Sequence, residues 1–75
     1  MRLSDLQNKD VLNTEDGKVI GKIIDVIIDE NGIIEKLIVE KYKFLISMFS
    51  SHAEIEVPWK NINKIGEDVI LVSFY

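Results

Sequence analysis

Cysteine is absent from the 75-residue chain, so neither a disulfide nor a thiolate metal site reinforces it. Long apolar runs are missing too. No window approaches the roughly 18 apolar residues of a membrane helix, and the opening Met1-Arg2-Leu3-Ser4-Asp5-Leu6-Gln7 contains no signal-type apolar region. A soluble, cytoplasmic protein without membrane insertion is expected. Basic charge is sparse: nine Lys and Arg, scattered singly, stand against thirteen Asp and Glu, for a net charge of -4. A phosphate backbone would be repelled overall, which argues against nucleic acid as a direct ligand.

What is abundant is β-branched aliphatic surface. Thirteen Ile and seven Val, within a hydrophobic content of 47%, favour pleated, half-buried strands over helices. A chain this short hides only about 60 to 65% of its unfolded surface, so residues 1–75 form a single domain with a thin stability margin. Without cross-links, a partner subunit is a natural source of added stability.

Ser4-Asp5-Leu6-Gln7 has capping-box spacing and predicts one helical turn. Asp10 to Asn13 reads as a first strand, followed by the turn signal Asp16-Gly17. The next strand, Lys18 to about Asp29, carries aliphatics on both faces, and Gly21 within it predicts a bend or bulge that resets the alternation. Asp29-Glu30-Asn31-Gly32 makes a second turn into a strand from Ile33 to Lys41. Glu54-Ile55-Glu56-Val57 alternates and is stopped by Pro58, Asn61 to Ile65 is a short strand, and Val69 to Phe74 a last, very apolar one after Gly66-Glu67-Asp68. Six strands rich in Ile and Val would leave two adhesive edges unless the sheet closes. The expected fold is therefore all-β, a small barrel of about six antiparallel strands preceded by a helical turn.

The block D-G-K-V-I-G-K-I-I-D-V-I-I-D-E-N-G-I-I-E-K-L-I-V, with I-E-V-P-W-K-N-I after it, resembles the PRC-barrel domain over nearly the whole chain. The opening M-R-L-S-D-L-Q with Lys9-Asp10-Val11, and the closing K-I-G-E-D-V-I-L-V, are similar to the short sporulation-associated PRC-barrel proteins of spore-forming Firmicutes, the YlmC/YmxH family. The resemblance implies a PRC-type barrel that works by contact with other proteins, with no catalytic residues to carry over. Members of that group often carry a glycine-rich, Phe-containing loop where this chain has F-L-I-S-M-F-S, which contains no glycine.

Candidate chemistry is thin. Asp25, Asp29, Glu30 and Asn31 lack EF-hand spacing, and turn hydrogen bonding accounts for the last three, while Asp25 suits a bond to backbone. His52, Glu54 and Glu56 share a strand face in a row that could hold zinc, yet a solvated face over inward Ile55 and Val57 is spelled the same way. Ser50 and Ser51 beside His52 lack the third group that a nucleophile site needs. No metal, cofactor or catalytic residue is assigned, and an enzyme is not expected.

Phe44, Leu45, Ile46, Met48 and Phe49 form an apolar cluster between strands. Either one helical turn plugs the barrel end, or the cluster is an exposed contact patch. Trp59 poses the same choice, with the core favoured. The function expected is a non-catalytic protein–protein interaction or adaptor module, a homodimer whose contact uses Phe44 to Phe49, with Glu54 and Glu56 setting the charge of an unidentified protein partner. A barrel that binds a small ligand or metal for regulation is the alternative.

Overall fold

The computed structural model describes residues 1–42 and 54–73. A short helix α1 (Leu3–Gln7) leads into strands β1 (Asp10–Asn13), β2 (Val19–Ile28), β3 (Ile34–Lys41) and β4 (Glu54–Pro58). A 3-10 turn (Trp59–Asn61) then connects to β5 (Ile62–Ile65) and β6 (Val69–Val72). The helix starts earlier than the Ser4-to-Gln7 spacing predicts. Arg2 is the capping position, and the Asp5 carboxylate accepts from the Arg2 backbone N–H at 2.8 Å. An ionised carboxylate is a stronger acceptor than the Gln7 amide, which favours this frame.

Local chemistry explains both turns. Gly17 and Gly32 take φ values of +71° and +81°, a region open to glycine. Asp29 Oδ1 accepts from the N–H groups of Asn31 and Ile33 at 2.8 and 3.0 Å, and Asp16 Oδ1 accepts from Lys18 N–H at 2.9 Å. Gly21 has a different duty. A Cβ there would lie 1.9 Å from the Glu40 carbonyl oxygen, so β2 and β3 can approach this closely only at a glycine.

The long strand β2 shifts register three times in its pairing, the last between Ile27 and Ile28 near the hairpin tip. Its pairing with β1 slips beside Gly21, leaving Ile20 unmatched, and its pairing with β3 slips between Ile23 and Asp25, leaving Ile24 unmatched. The second slip resets the alternation, so Ile23 is buried and Val26, three residues on, also packs on the core. Ile24 is turned toward solvent. Asp25 Oδ1 closes the irregularity by accepting from Val26 N–H at 2.8 Å.

The strands hydrogen-bond in the order β4-β3-β2-β1-β6-β5. Four pairings are antiparallel, but β1 and β6 run parallel, with Val11 opposite Ile70 and Asn13 opposite Val72. This corrects the expectation of an all-antiparallel sheet, and the cause is the connection at Pro58. Counting directions along the sheet, β4 and β5 both oppose β1. The Trp59–Asn61 turn therefore carries the chain onward from one edge of the sheet to the other instead of reversing it.

That crossing bends the whole sheet. Laid flat, six strands would put β4 and β5 about 24 Å apart. The link from Pro58 to Ile62 spans at most about 14 Å even when extended. The sheet therefore curls, yet no pairing joins β4 to β5 among the described residues, so closure into a barrel is not what the hydrogen bonding displays. Inside the curl lies an aliphatic core of Leu6, Val11, Ile23, Leu37, Val39, Val57, Ile70 and Val72. Burying each such side chain contributes about 1.5–3 kcal/mol relative to exposure, and Leu6 brings α1 onto one end of it.

Candidate interaction site

Beside α1 the curled sheet leaves an apolar groove of about 420 Å³. Leu3 and Leu6 form its helical wall, Val26, Ile28 and Ile34 its sheet wall, and Trp59 and Ile65 its far side. Met1 and Arg2 complete the rim, and Arg2 is the one charged residue in the lining. Three of the lining side chains stand well into solvent, Met1, Leu3 and Ile28 at 79, 48 and 58% exposure, and the neighbouring hairpin residue Ile33 is 60% exposed. Such a concentration of apolar surface at one end of a small domain is a mark of contact.

Local structure places each wall. Pro58 ends β4, and the 3-10 turn that follows swings Trp59 to the outside, where the indole is 37% exposed. The preference for Trp59 in the core is thus corrected: the interior is filled by aliphatics, and the ring serves as a wall. Ile28 and Ile33 flank the Asp29–Gly32 turn, held out at the hairpin tip by the Asp29 hydrogen bonds.

A second depression, of about 390 Å³, lies on the other side of α1 among Asp5, Asn8, Lys9, Glu67 and Asp68. Its polar groups serve the fold. Lys9 Nζ donates to the Glu67 carbonyl, and Asp10 N–H donates to the Asp68 carbonyl at 3.1 Å, tying the start of β1 to the β5–β6 turn. At this same start of β1, Tyr42, which follows the end of β3, donates its Oη–H to Asp10 Oδ1 at 2.5 Å. That bond, reinforced by partial burial and by the Asp10 charge, pushes the Tyr42 hydroxyl up to about 12.

Of the residues singled out from the sequence, Glu54 and Glu56 lie exposed on β4 and differ in environment. Glu56 accepts from Lys36 Nζ at 2.6 Å, and this hydrogen bond and charge raise the Lys36 ammonium above its ordinary value. Glu54 instead sits directly across from Glu40 on β3. Phe44, Leu45, Ile46, Met48 and Phe49, with Ser50, Ser51 and His52, lie outside the described residues. The groove itself was not foreseen. Its one signal in the sequence is a pair of isoleucines bracketing a polar turn, where a solvent-facing tip has no use for them.

The PRC-barrel domain family model matches residues 1–75. The chain is 42% identical over 71 residues to the probable sporulation protein YlmC of Bacillus subtilis (strain 168), covering 93% of this chain and 88% of that protein. It is 32% identical over 76 residues to the uncharacterized protein YmxH of the same bacterium, covering 97% of this chain and 88% of that protein.

Proposed function

The chain belongs to the PRC-barrel domain family, and on that premise we propose that it is a non-catalytic protein–protein interaction module serving sporulation. The observation that carries this reading is the groove, whose walls are aliphatic and aromatic and whose lining offers one cationic side chain and no carboxylate, imidazole or hydroxyl. Such a surface gains free energy by excluding water, and it has nothing with which to activate a bond. The link to sporulation is supported by the name of the similar Bacillus protein. The curl of the sheet supports reading it as the family's barrel, with its seam between β4 and β5.

In this reading the protein is cytoplasmic and dimeric, and its contacts with other proteins include Phe44 to Phe49, with Glu54 supplying negative charge beside Glu40. Glu56 contributes less, since Lys36 already neutralises it. A small apolar ligand is the second reading, favoured by a groove volume within the roughly 300–1,000 Å³ of ligand pockets. It would meet few polar groups to orient it.

The test is affinity purification of the tagged protein through sporulation, followed by binding of each recovered protein in purified form. A direct partner weakened about tenfold or more by Phe49→Asp or Ile28→Asp is expected. If nothing is recovered above a tag-only control, while apolar metabolites raise the melting temperature by mass action, the ligand reading replaces this one.

A further inference from the structure

The groove and the surfaces that flank it are complementary in form. Leu3 on α1 and Ile28 and Ile33 at the β2–β3 tip project as ridges, and the groove lies between the two elements. A two-fold interface needs this pairing of ridge and hollow on one face, because each patch must fit a copy of itself. We propose that a second copy of this chain occupies the groove, the α1 and hairpin-tip ridges of each copy seating in the hollow of the other. The proposal deepens the interaction reading by assigning one partner to this surface.

Charge favours a second copy, and the area suits a weak contact. Together with Trp59, the three ridge residues leave on the order of 400 Å² of surface in water, within the roughly 300–600 Å² that the largest patch on a soluble monomer carries and about half of the roughly 800 Å² per partner of a standard interface. The net charge of -4 would set two copies against each other at most orientations. At this face the repulsion is offset in part, because the hollow that would receive the Asp29 and Glu30 of the partner's hairpin tip is lined by Arg2 and holds no carboxylate. Moreover, the exposed Arg2 and Asp5 flank Leu3 with opposite signs. When two α1 helices meet antiparallel, Arg2 of each copy faces Asp5 of the other, so the rim is self-complementary in charge as well.

The experiment is sedimentation equilibrium on the full chain, with circular dichroism of every variant to confirm that it folds. The wild type is expected to dimerise. Leu3→Asp and Ile28→Asp, both at exposed positions, are expected to raise the dimer dissociation constant by at least about tenfold each, since a substitution is felt twice across a two-fold axis. Arg2→Glu is expected to raise it about threefold, an effect that fades with added salt. A folded wild type that stays monomeric at about 1 mM, where even a weak dimer is populated, overturns the proposal. So does a dimer indifferent to Leu3→Asp and Ile28→Asp, with Phe49→Asp as the control that relocates the contact. A monomer that still binds a partner from sporulating cells overturns the self-association alone and leaves the interaction module standing.

Discussion

Gly21 shows how much one missing carbon can matter. Its hypothetical Cβ would overlap the Glu40 carbonyl, a backbone group that cannot step aside without parting β2 from β3. Gly21→Ala is expected to destabilise the fold by about 3 kcal/mol or more, read from the midpoint of urea unfolding with an unchanged slope. At Tyr42 the consequence is a pH dependence. Its folded value is raised from 10.0 to about 12, so its contribution to stability is whole below pH 10 and is lost as pH rises toward 12. Absorbance titration in a Tyr75→Phe background, where Tyr42 is the remaining phenol, should therefore show ionisation near pH 12. Tyr42→Phe should remove the alkaline loss over that window, and an ionisation near 10 in the folded protein would refute the bond to Asp10. Glu54 and Glu40 face each other across β4 and β3 as like charges, so Glu54→Lys is expected to stabilise the domain by about 0.2–1 kcal/mol, fading in high salt.

At the scale of elements, what could be read from the sequence was whatever is decided locally. Asp16-Gly17 and Asp29-Glu30-Asn31-Gly32 marked turns because positive φ at the glycine and an acceptor on the aspartate are properties of those residues alone, and the strands around them fall close to where the aliphatic runs begin and end. Gly21 signalled an irregularity, but the residue that resets the alternation is Ile24, which is spelled like its neighbours and is singled out only by its pairing with β3. Deleting Ile24 should accordingly be tolerated better than a deletion in a regular stretch of strand, because Asp25 keeps its outward place opposite Ile38 and Val26 its inward place opposite Leu37. Retained cooperative thermal unfolding is the expected result, and its loss would show that the bulge itself is required. The parallel pairing of β1 with β6 and the outward turn of Trp59 were illegible for the same reason. Each depends on what the chain does after Pro58, and a proline announces the end of a strand without stating the direction taken next.

For the molecule as a whole, the interaction surface is built from α1, β2, β3, the 3-10 turn and β5, which lie far apart in the chain. No window of sequence contains it, and its exposed aliphatics, Leu3 and Ile28, are taken singly ordinary surface residues. The contrast between its members and the core is testable. Ile70, fully buried between β1 and β5, should cost about 2–5 kcal/mol when replaced by Ala, whereas Ile28→Ala should barely move the unfolding midpoint of the monomer. Equal losses at the two sites would mean that Ile28 is part of the core and not of a contact surface.

The ladder between β1 and β6 also sets a clock on synthesis. Asp10–Asn13 leave the ribosome early, and the strand beside them, Val69–Val72, emerges only after the rest of the sheet. Until then Val11 lacks Ile70, and the growing chain holds a meander with both β1 and β4 as unpaired edges. Folding thereby waits for Val69–Val72 and becomes nearly all-or-none, because this strand sits between β1 and β5 and joins the two parts of the sheet. A chain stopped after Asp68 should be protease-sensitive and lack cooperative unfolding, and adding the missing strand as a separate peptide should restore both.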